Sequence, residues 1–256
     1  GGGGLDRGQG GHCVRNATTA LVLLAGLTAA GCSSAPPDDP LAADPHEPFN
    51  RSAHAINKEV DRAAFGPVAR GYGAAVPEDV RDMVTDFSSN WKLPRETLQY
   101  LMQGRPEDSA KSFTRFAVNT LLGLGGLLDI ATEMDLPYRK TGFDEVFSVW
   151  GIPDGGYREL PFGGPGTDRD WTGWVLDTAL DPTWFILPPA ANEAVLGSSA
   201  LDLVNDRYVI DPVIDEVLYR SEDSYSALRL SYLQNKRAAL QGGTGVEQLE
   251  DVYANY

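Results

Sequence analysis

Apolar and polar residues follow a helical period along most of the chain from residue 47 onward. Over residues 49–63 the apolar positions fall at spacings of three and four, which predicts a helix with one apolar face. Gly66-Pro67 is predicted to end this helix, because both residues disfavour a helix interior. Further helices are predicted to start at Pro77, Pro94 and Pro106, since proline suits the first helical turn. Later helices are predicted from Thr167 and over residues 184–187, 192–208 and 211–240.

The stretch 117–128 carries no charge and holds three glycines. As a helix it would extend about 18 Å at about 1.5 Å per residue, whereas a bilayer core is about 30 Å thick. The stretch is therefore too short to span a membrane. It is predicted to be either a buried core helix or an interfacial segment in one leaflet. Its glycines predict a bend or a close approach of two backbones.

Glycine and proline recur through residues 137–170 and prevent any long helix there. Aromatic residues lie between them, which argues against disorder. This region is therefore predicted to be an ordered loop or hairpin. Loops of this length in compact domains are usually either disordered or functional. Two interpretations remain open: a moving element with a function, or a passive cover over the core.

The N-terminus predicts export and a covalent lipid anchor. A basic lead precedes an apolar stretch at 17–30, as in a secretory signal peptide. Leu27-Thr28-Ala29-Ala30-Gly31-Cys32 resembles a bacterial lipobox, in which the cysteine is lipidated; an ordinary signal peptide with a chance cysteine is the alternative. The predicted organisation is a signal peptide at 1–31, a proline-rich flexible tether at 32–46, one helical domain at 47–241 and an acidic tail at 242–256.

Composition narrows the function classes. The net charge of −15 disfavours nucleic-acid binding, which depends on clustered Lys and Arg. Beyond the signal segment the histidines are His46 and His54, and no cysteine remains after Cys32, so a His/Cys zinc site is excluded. His54 is interpreted as an ordinary surface histidine. No nucleophile-elbow motif or metal-ligand spacing is present, and no catalytic residue, metal or cofactor is predicted.

Several ordered motifs then carry a family resemblance. The segment Asp44-Pro45-His46-Glu47-Pro48-Phe49-Asn50-Arg51 resembles the opening of the MlaA (VacJ) phospholipid-transport lipoproteins. The similarity is strongest at FAVNTLLGLGGLLD, residues 116–129, and continues through Trp150-Gly151-Ile152 and Leu160-Pro161-Phe162. It covers about residues 44–185.

The resemblance implies a mostly α, single-domain, ring-like helical protein embedded in the inner leaflet of a Gram-negative outer membrane, on its periplasmic face. It implies an amphipathic channel that removes phospholipid from the outer leaflet, passage of the lipid to a periplasmic carrier, association with a trimeric porin, and no catalysis or cofactor. The alternatives are a structural envelope lipoprotein and a periplasmic lipid hydrolase.

Four groups of candidate site residues follow. Cys32 is the predicted lipid anchor, and Phe49, Asn50 and Arg51 form the family's N-terminal motif. The predicted channel or leaflet-embedded segment contains Leu121, Leu124, Gly125, Gly126 and Leu127. Because interfacial aromatics and flexible glycines suit a gate beside a lipid channel, a gating loop is predicted from Phe147, Trp150, Gly151, Gly155, Gly156 and Tyr157.

Overall fold

A computed structural model describes residues 44–240 of the protein. The predicted signal peptide, Cys32 and the predicted acidic tail lie outside these residues. The described part is mostly helical, as predicted, with one antiparallel hairpin. Its elements, in order, are α1 Glu47–Val60, the π-helical turn π1 Asp61–Phe65, α2 Gly66–Ala75, α3 Glu78–Met102, α4 Pro106–Leu121, α5 Ile130–Glu133, α6 Phe143–Val149, β1 Tyr157–Leu160, β2 Gly164–Thr167, α7 Asp168–Ala179, α8 Thr183–Ile186, α9 Pro189–Val209, α10 Asp211–Ile214, π2 Asp215–Arg220 and α11 Ser224–Leu240.

The first helix does not end at Gly66-Pro67, and that prediction is wrong. The chain passes from α1 through π1 directly into α2, with Gly66 still donating its N–H to the carbonyl of Asp61. Pro67 lies in the first turn of α2, where its missing N–H is tolerated. The π-helical turn thus accommodates Gly66-Pro67, and α1, π1 and α2 follow one another without a break.

A separate helix starting at Pro94 is also wrong, because α3 runs unbroken through that proline. A proline inside a helix removes one backbone hydrogen bond and normally costs about 3 kcal/mol. Here α3 packs against both α4 and α9. The hydroxyl of Thr97 donates to the Leu93 carbonyl at 2.8 Å, one turn away. Tertiary packing therefore overrides the local signal.

The central apolar stretch is a helix end followed by a glycine turn. Helix α4 stops at Leu121, so a helix through residue 128 is wrong. Leu124, Gly125 and Gly126 have φ values of 55°, 77° and 97°, and the Gly126 N–H donates to the Asn119 carbonyl at 2.9 Å. A Cβ on Gly126 would lie 2.6 Å from the Cβ of Asn90. The predicted bend is confirmed, and so is a close backbone approach, because a Cβ on Gly123 would clash with the carbonyl oxygen of Leu128.

The aromatic glycine-rich region contains the predicted hairpin, preceded by the short helix α6, which the sequence did not indicate. The hairpin pairs Tyr157 with Thr167 and Leu160 with Gly164. Thr167 then caps α7: its hydroxyl accepts the N–H of Asp170, whose carboxylate accepts the N–H of Thr167. This reciprocal cap fixes the predicted helix start.

The C-terminal helices follow the prediction with one break. Helices α8 and α9 lie close to their predicted positions, but the helix predicted over 211–240 is interrupted after π2. Ser221 is extended, with φ −67° and ψ 141°, and the carboxylate of Asp223 accepts the N–H of Ser226 at 3.2 Å. A new helix cap at Asp223 therefore separates π2 from α11.

Burial is inverted relative to an ordinary globular protein. Among residues 44–240, polar and charged residues outnumber apolar residues at buried positions, and many large apolar side chains are exposed. In α1 the buried residues are Asn50, Ala53 and His54, whereas Phe49 and Ile56 of the predicted apolar face are half exposed. The interpretation of His54 as a surface residue is wrong. None of the helices within residues 44–240 has the length and apolarity that crossing a bilayer would require.

Candidate functional site

Helix α3 lies within the polar interior and is buried on more than one side: Ser88 Oγ donates to Asp202 on α9 at 3.1 Å, whereas Asn90 Nδ2 donates to Thr120 on α4 at 3.1 Å. Ser88, Asn90, Glu96 and Gln99 are fully buried on this helix. The hydroxyl of Tyr138 donates to Glu96 Oε1 at 2.8 Å. Burial raises the pKa of Glu96 to about 7, with the hydrogen bond from Tyr138 opposing the shift. The carboxyl group is thus held largely protonated below neutral pH.

Several polar atoms on α3 face this interior without a partner. Asn90 Oδ1, Trp91 Nε1, Glu96 Oε2 and Gln99 Oε1 are buried and have no hydrogen-bond partner within residues 44–240. A buried polar atom in a folded protein normally has a partner, either protein or water. The four residues lie on different sides of α3, so each atom is a separate polar position for water or the polar part of a ligand.

A second polar cluster, formed by Arg115, Asn119 and Asp129, holds the glycine turn that follows α4. Arg115 Nη2 donates to Asp129 Oδ2 at 2.8 Å, and Asn119 Nδ2 donates to Asp129 Oδ1 at 2.9 Å. Although burial raises the pKa of Asp129, hydrogen bonds from Thr132, Arg115 and Asn119 hold it below its ordinary value. Asn119 Oδ1 also accepts the N–H of Ala131 at 2.8 Å. The charged cluster thus fixes both ends of the turn.

The predicted leaflet segment lies in this turn with its leucines outward. Leu121 and Leu124 are 80% and 70% exposed, and Leu127 is partly exposed. A buried-core role is therefore wrong for Leu121 and Leu124. Gly126 is buried against Asn90, whereas Gly125 has open space where a Cβ would stand. The five predicted residues thus form one turn, in which Leu121 and Leu124 project outward and Gly126 packs against Asn90.

The six predicted gate residues have two different sets of partners. Phe147 and Trp150 lie at the end of α6 with ring centroids 6.1 Å apart, and the Trp150 indole donates to the Met102 carbonyl at 3.0 Å. Gly151 follows with φ 80° and open space around it. This first group is exposed apart from the partly covered Phe147.

The second group lies at the start of the hairpin. Tyr157 is buried, with its ring 6.1 Å from the rings of both Tyr225 and Tyr232. The N–H of Gly156 donates to Asp168 Oδ2 at 2.8 Å, and a Cβ on Gly155 would lie 2.7 Å from the Cβ of Asp168. These glycines are held closely by Asp168, in contrast to Gly151.

The N-terminal motif joins three parts of the fold. Asn50 is fully buried and Phe49 is half exposed. Arg51 donates to both carboxylate oxygens of Asp223 at 3.1 and 3.0 Å, with its guanidinium 4.5 Å from the ring of Tyr225. The preceding Asp44, which the sequence analysis placed in the tether, accepts from Asn50 Nδ2 at 3.0 Å. Residues 44–51 therefore tie α1 to the C-terminal part.

A buried serine–histidine–glutamate group was missed by sequence reasoning. Ser224 Oγ lies 3.0 Å from His54 Nε2, and His54 Nδ1 lies 3.1 Å from Glu159 Oε2. This order matches that of serine hydrolases, but all three side chains are at least nine-tenths buried. Ser224 Oγ also accepts from Lys58 Nζ at 3.1 Å. The group joins α1, β1 and α11, and no local motif signals it because the residues are far apart in sequence.

Within the described residues, no group of three or more His, Cys, Asp or Glu side chains is arranged to hold a metal ion. The candidate site combines a polar interior, an apolar exterior and a projecting leucine turn.

Comparison with known proteins gives the class that fits this arrangement. The family model of the MlaA lipoprotein matches residues 42–239, and the chain belongs to the MlaA lipoprotein family. An uncharacterised protein of Rickettsia felis is 35% identical over 77% of this chain and 78% of its own length. The intermembrane phospholipid transport system lipoprotein MlaA of Escherichia coli K12 is 31% identical over 83% of this chain and 84% of its own length.

A solved structure described as the structural basis for maintenance of bacterial outer membrane lipid asymmetry is also similar. It aligns with a TM-score of 0.63 and 29% identity, covering 75% of this chain and 96% of that one. The fold and the sequence thus point to the same family.

Proposed function

We propose that this protein removes phospholipids from the outer leaflet of the outer membrane through an amphipathic channel and passes them to a periplasmic carrier. The observation that carries the proposal is the inverted burial: polar side chains lie inside and large apolar side chains lie outside. Membership of the MlaA lipoprotein family supports it, as does a relative named for intermembrane phospholipid transport.

The exterior suits one leaflet of a bilayer. Exposed apolar surface on this scale marks interaction with a membrane or a partner. Helices satisfy their own backbone hydrogen bonds, as lipid surroundings require. Leu121 and Leu124 project from a turn that Arg115 and Asp129 brace through a 2.8 Å ion pair. We therefore place the leucine turn in the acyl-chain region.

The interior suits a polar headgroup. Glu96 Oε2 and Gln99 Oε1, on residues three apart on α3, are buried without a partner in the described part of the chain. A phospholipid that crosses a leaflet carries a charged headgroup, whose exposure to hydrocarbon costs several kcal/mol or more. A polar path beside α3 lowers that cost, because its groups replace part of the water that the headgroup loses.

We also propose that the segment from α6 to the start of the hairpin forms a gate beside the channel. Gly151 has φ 80° and no neighbour where a Cβ would stand, so it is the best placed hinge between α6 and the hairpin. Gly155 and Gly156 are packed against Asp168, and they anchor the far side of the segment. In this proposal Phe147 and Trp150 move while Tyr157 stays fixed.

We further propose a lipid anchor and two protein partners. Acylation at Cys32 would hold the protein on the periplasmic face of the outer membrane, because two or more acyl chains give stable anchoring. A porin trimer would bind the exposed apolar surface, and a periplasmic carrier would accept the lipid. No cofactor or catalytic step is needed.

The experiment measures surface-exposed phospholipid in cells whose only copy of this protein is wild type, deleted or Cys32→Ser. We expect deletion to raise surface phospholipid and the wild-type gene to restore the low level. Unchanged surface phospholipid on deletion would favour a structural lipoprotein. Accumulation of lysophospholipid that depends on Ser224 would favour a lipid hydrolase.

A further inference from the structure

An open cleft of about 460 Å³ lies on a different part of the molecule from the buried polar residues of α3. This volume is in the range of small-molecule sites. Its walls carry both signs of charge within a chain whose net charge is −15. The lining residues are Arg62, Arg70, Asp211, Asp215, Tyr219 and Arg220.

Both π-helical turns of the described residues border this cleft. Arg62 belongs to π1, whereas Asp215, Tyr219 and Arg220 belong to π2. A π-helical turn adds a residue to a helical turn and redirects the side chains around it, and such turns are frequent at functional sites. Because two π-helical turns meet at this cleft, its backbone as well as its charges is typical of a functional site.

One lining residue of the cleft, Tyr219, is tied to a buried ion pair next to it. Arg207 donates from Nε to Asp61 Oδ1 at 2.7 Å and from Nη2 to Asp61 Oδ2 at 2.9 Å. The hydroxyl of Tyr219 donates to the same Asp61 Oδ2 at 2.7 Å. A bidentate pair of this kind fixes geometry as well as charge. It locks π1 to α9 and orients Tyr219, so the cleft walls are preformed.

The arginines of the cleft keep donors for a ligand. Arg70 Nη1 lies 2.9 Å from Asp211 Oδ1 and 4.0 Å from Asp215 Oδ1. Arg62 Nη1 pairs with Glu59, and Arg220 Nη1 pairs with Glu216. These pairs use one nitrogen of each guanidinium, which has five N–H donors in total. All three side chains remain well exposed, so an anion can reach them.

A headgroup that carries both an anionic and a cationic group fits the two signs of charge that line the cleft. Arginine binds phosphate oxygens in a planar, bidentate manner, and Asp215 is exposed beside Arg70 to receive a cation.

We propose that this cleft binds the headgroup of a zwitterionic phospholipid, with its phosphate on Arg62 and Arg70 and its ammonium group on Asp215. The inference rests on the proposed lipid-transport function and adds a headgroup site to it. A free phosphate compound shares the phosphate chemistry, so the experiment separates the two sources.

The experiment measures binding of dihexanoyl phosphatidylethanolamine and dihexanoyl phosphatidylglycerol to the full-length protein purified in detergent. We expect the double variant Arg62→Gln/Arg70→Gln to bind both lipids at least tenfold more weakly. Asp215→Asn should lower only the preference for the ethanolamine lipid. The control Lys111→Gln removes an exposed, ion-paired cation on α4 and should bind like wild type.

Unchanged binding by a folded double variant would overturn the proposal, with thermal unfolding as the check on folding. Inorganic phosphate that competes as strongly as the lipid would overturn the lipid assignment in favour of a soluble phosphate ligand. The cellular assay separates the two proposals. If the double variant binds weakly yet keeps surface phospholipid low, the cleft is not on the transport path and the transport function stands. If the wild-type gene fails to lower surface phospholipid, the transport function fails.

Discussion

Asn50 accepts the backbone N–H of Glu159 through its Oδ1 at 3.0 Å. The same side chain donates from Nδ2 to the carbonyl of Tyr157, also at 3.0 Å. Asn50 therefore imitates a neighbouring strand and satisfies the free edge of β1 from helix α1. Asn50 thus holds the hairpin on the helical body together with Asn57, whose Nδ2 donates to the Leu160 carbonyl at 2.9 Å.

Replacing Asn50 with alanine should lower the free energy of unfolding by about 3 kcal/mol, because a buried N–H and a buried carbonyl each lose their partner. Chemical unfolding in detergent measures this. Phe49→Ala is the matched control, since its side chain is half exposed and its removal should cost little in detergent. Equal losses for the two variants would contradict the assigned role.

Asn50 also shows how far the sequence could lead. The family resemblance selected Phe49, Asn50 and Arg51 as a motif, but it could not assign Asn50 its partners. Those partners, Tyr157 and Glu159, lie 107 and 109 residues away, and only the fold brings them together. The contact between His54 and Ser224, which are 170 residues apart, was hidden for the same reason.

Periodicity predicted the helices because 3.6-residue spacing depends on local geometry alone. It could not tell which face is buried, since the usual rule assumes water outside. The exposed leucines near Leu124 and the buried Glu96 reverse that rule. The breaks predicted at Pro67 and Pro94 failed for a different reason: a π-helical turn and contacts from neighbouring helices outweigh the local cost of proline.

The stability of the protein should depend on pH through Glu96. Its pKa is about 7 in the folded protein and 4.5 ordinarily. Below pH 4.5 both folded and unfolded states are protonated, so the stability is fully present. As pH rises toward 7, the unfolded chain releases the proton first and the folded state loses about 3 kcal/mol in relative stability.

Glu96→Gln removes this titration while keeping an acceptor for the hydroxyl of Tyr138. We expect the variant to exceed wild type in stability at pH 8 and to show a smaller decline between pH 4.5 and 7, where Asp86, whose pKa burial raises to about 6, still titrates. Unfolding at several pH values measures the difference. Glu107→Gln, at an exposed carboxylate on α4, should keep the wild-type profile. Parallel curves for wild type and Glu96→Gln would refute the assignment.

The two adjacent glycines of the turn should respond differently to alanine. Both have positive φ, so either substitution strains the backbone by about 1–3 kcal/mol. Gly126→Ala adds a clash with the side chain of Asn90, whereas a Cβ on Gly125 meets open space. We expect Gly126→Ala to lower the melting temperature clearly more than Gly125→Ala. The reverse order would show that the turn is not packed on Asn90.

Replacing Leu124 should separate an effect on protein stability from an effect on membrane binding. Its φ of 55° is unusual for leucine but well tolerated by asparagine. Leu124→Asn should therefore raise protein stability in detergent by about 0.5–1 kcal/mol, since it relieves part of a left-handed strain of about 1–2 kcal/mol. The same change removes a 70% exposed leucine from the predicted leaflet contact.

Losing that contact should weaken membrane binding at least about tenfold, because burying a leucine side chain contributes about 1.5–3 kcal/mol. Flotation with phospholipid vesicles measures this in a Cys32→Ser background, which removes the proposed covalent anchor. Leu121→Asn is the matched control: it lies at the end of α4 and is 80% exposed, so it should lose membrane binding without gaining stability. If Leu124→Asn unfolds the protein, the leucine belongs to a core. If it folds and floats like its parent, the turn does not enter the bilayer.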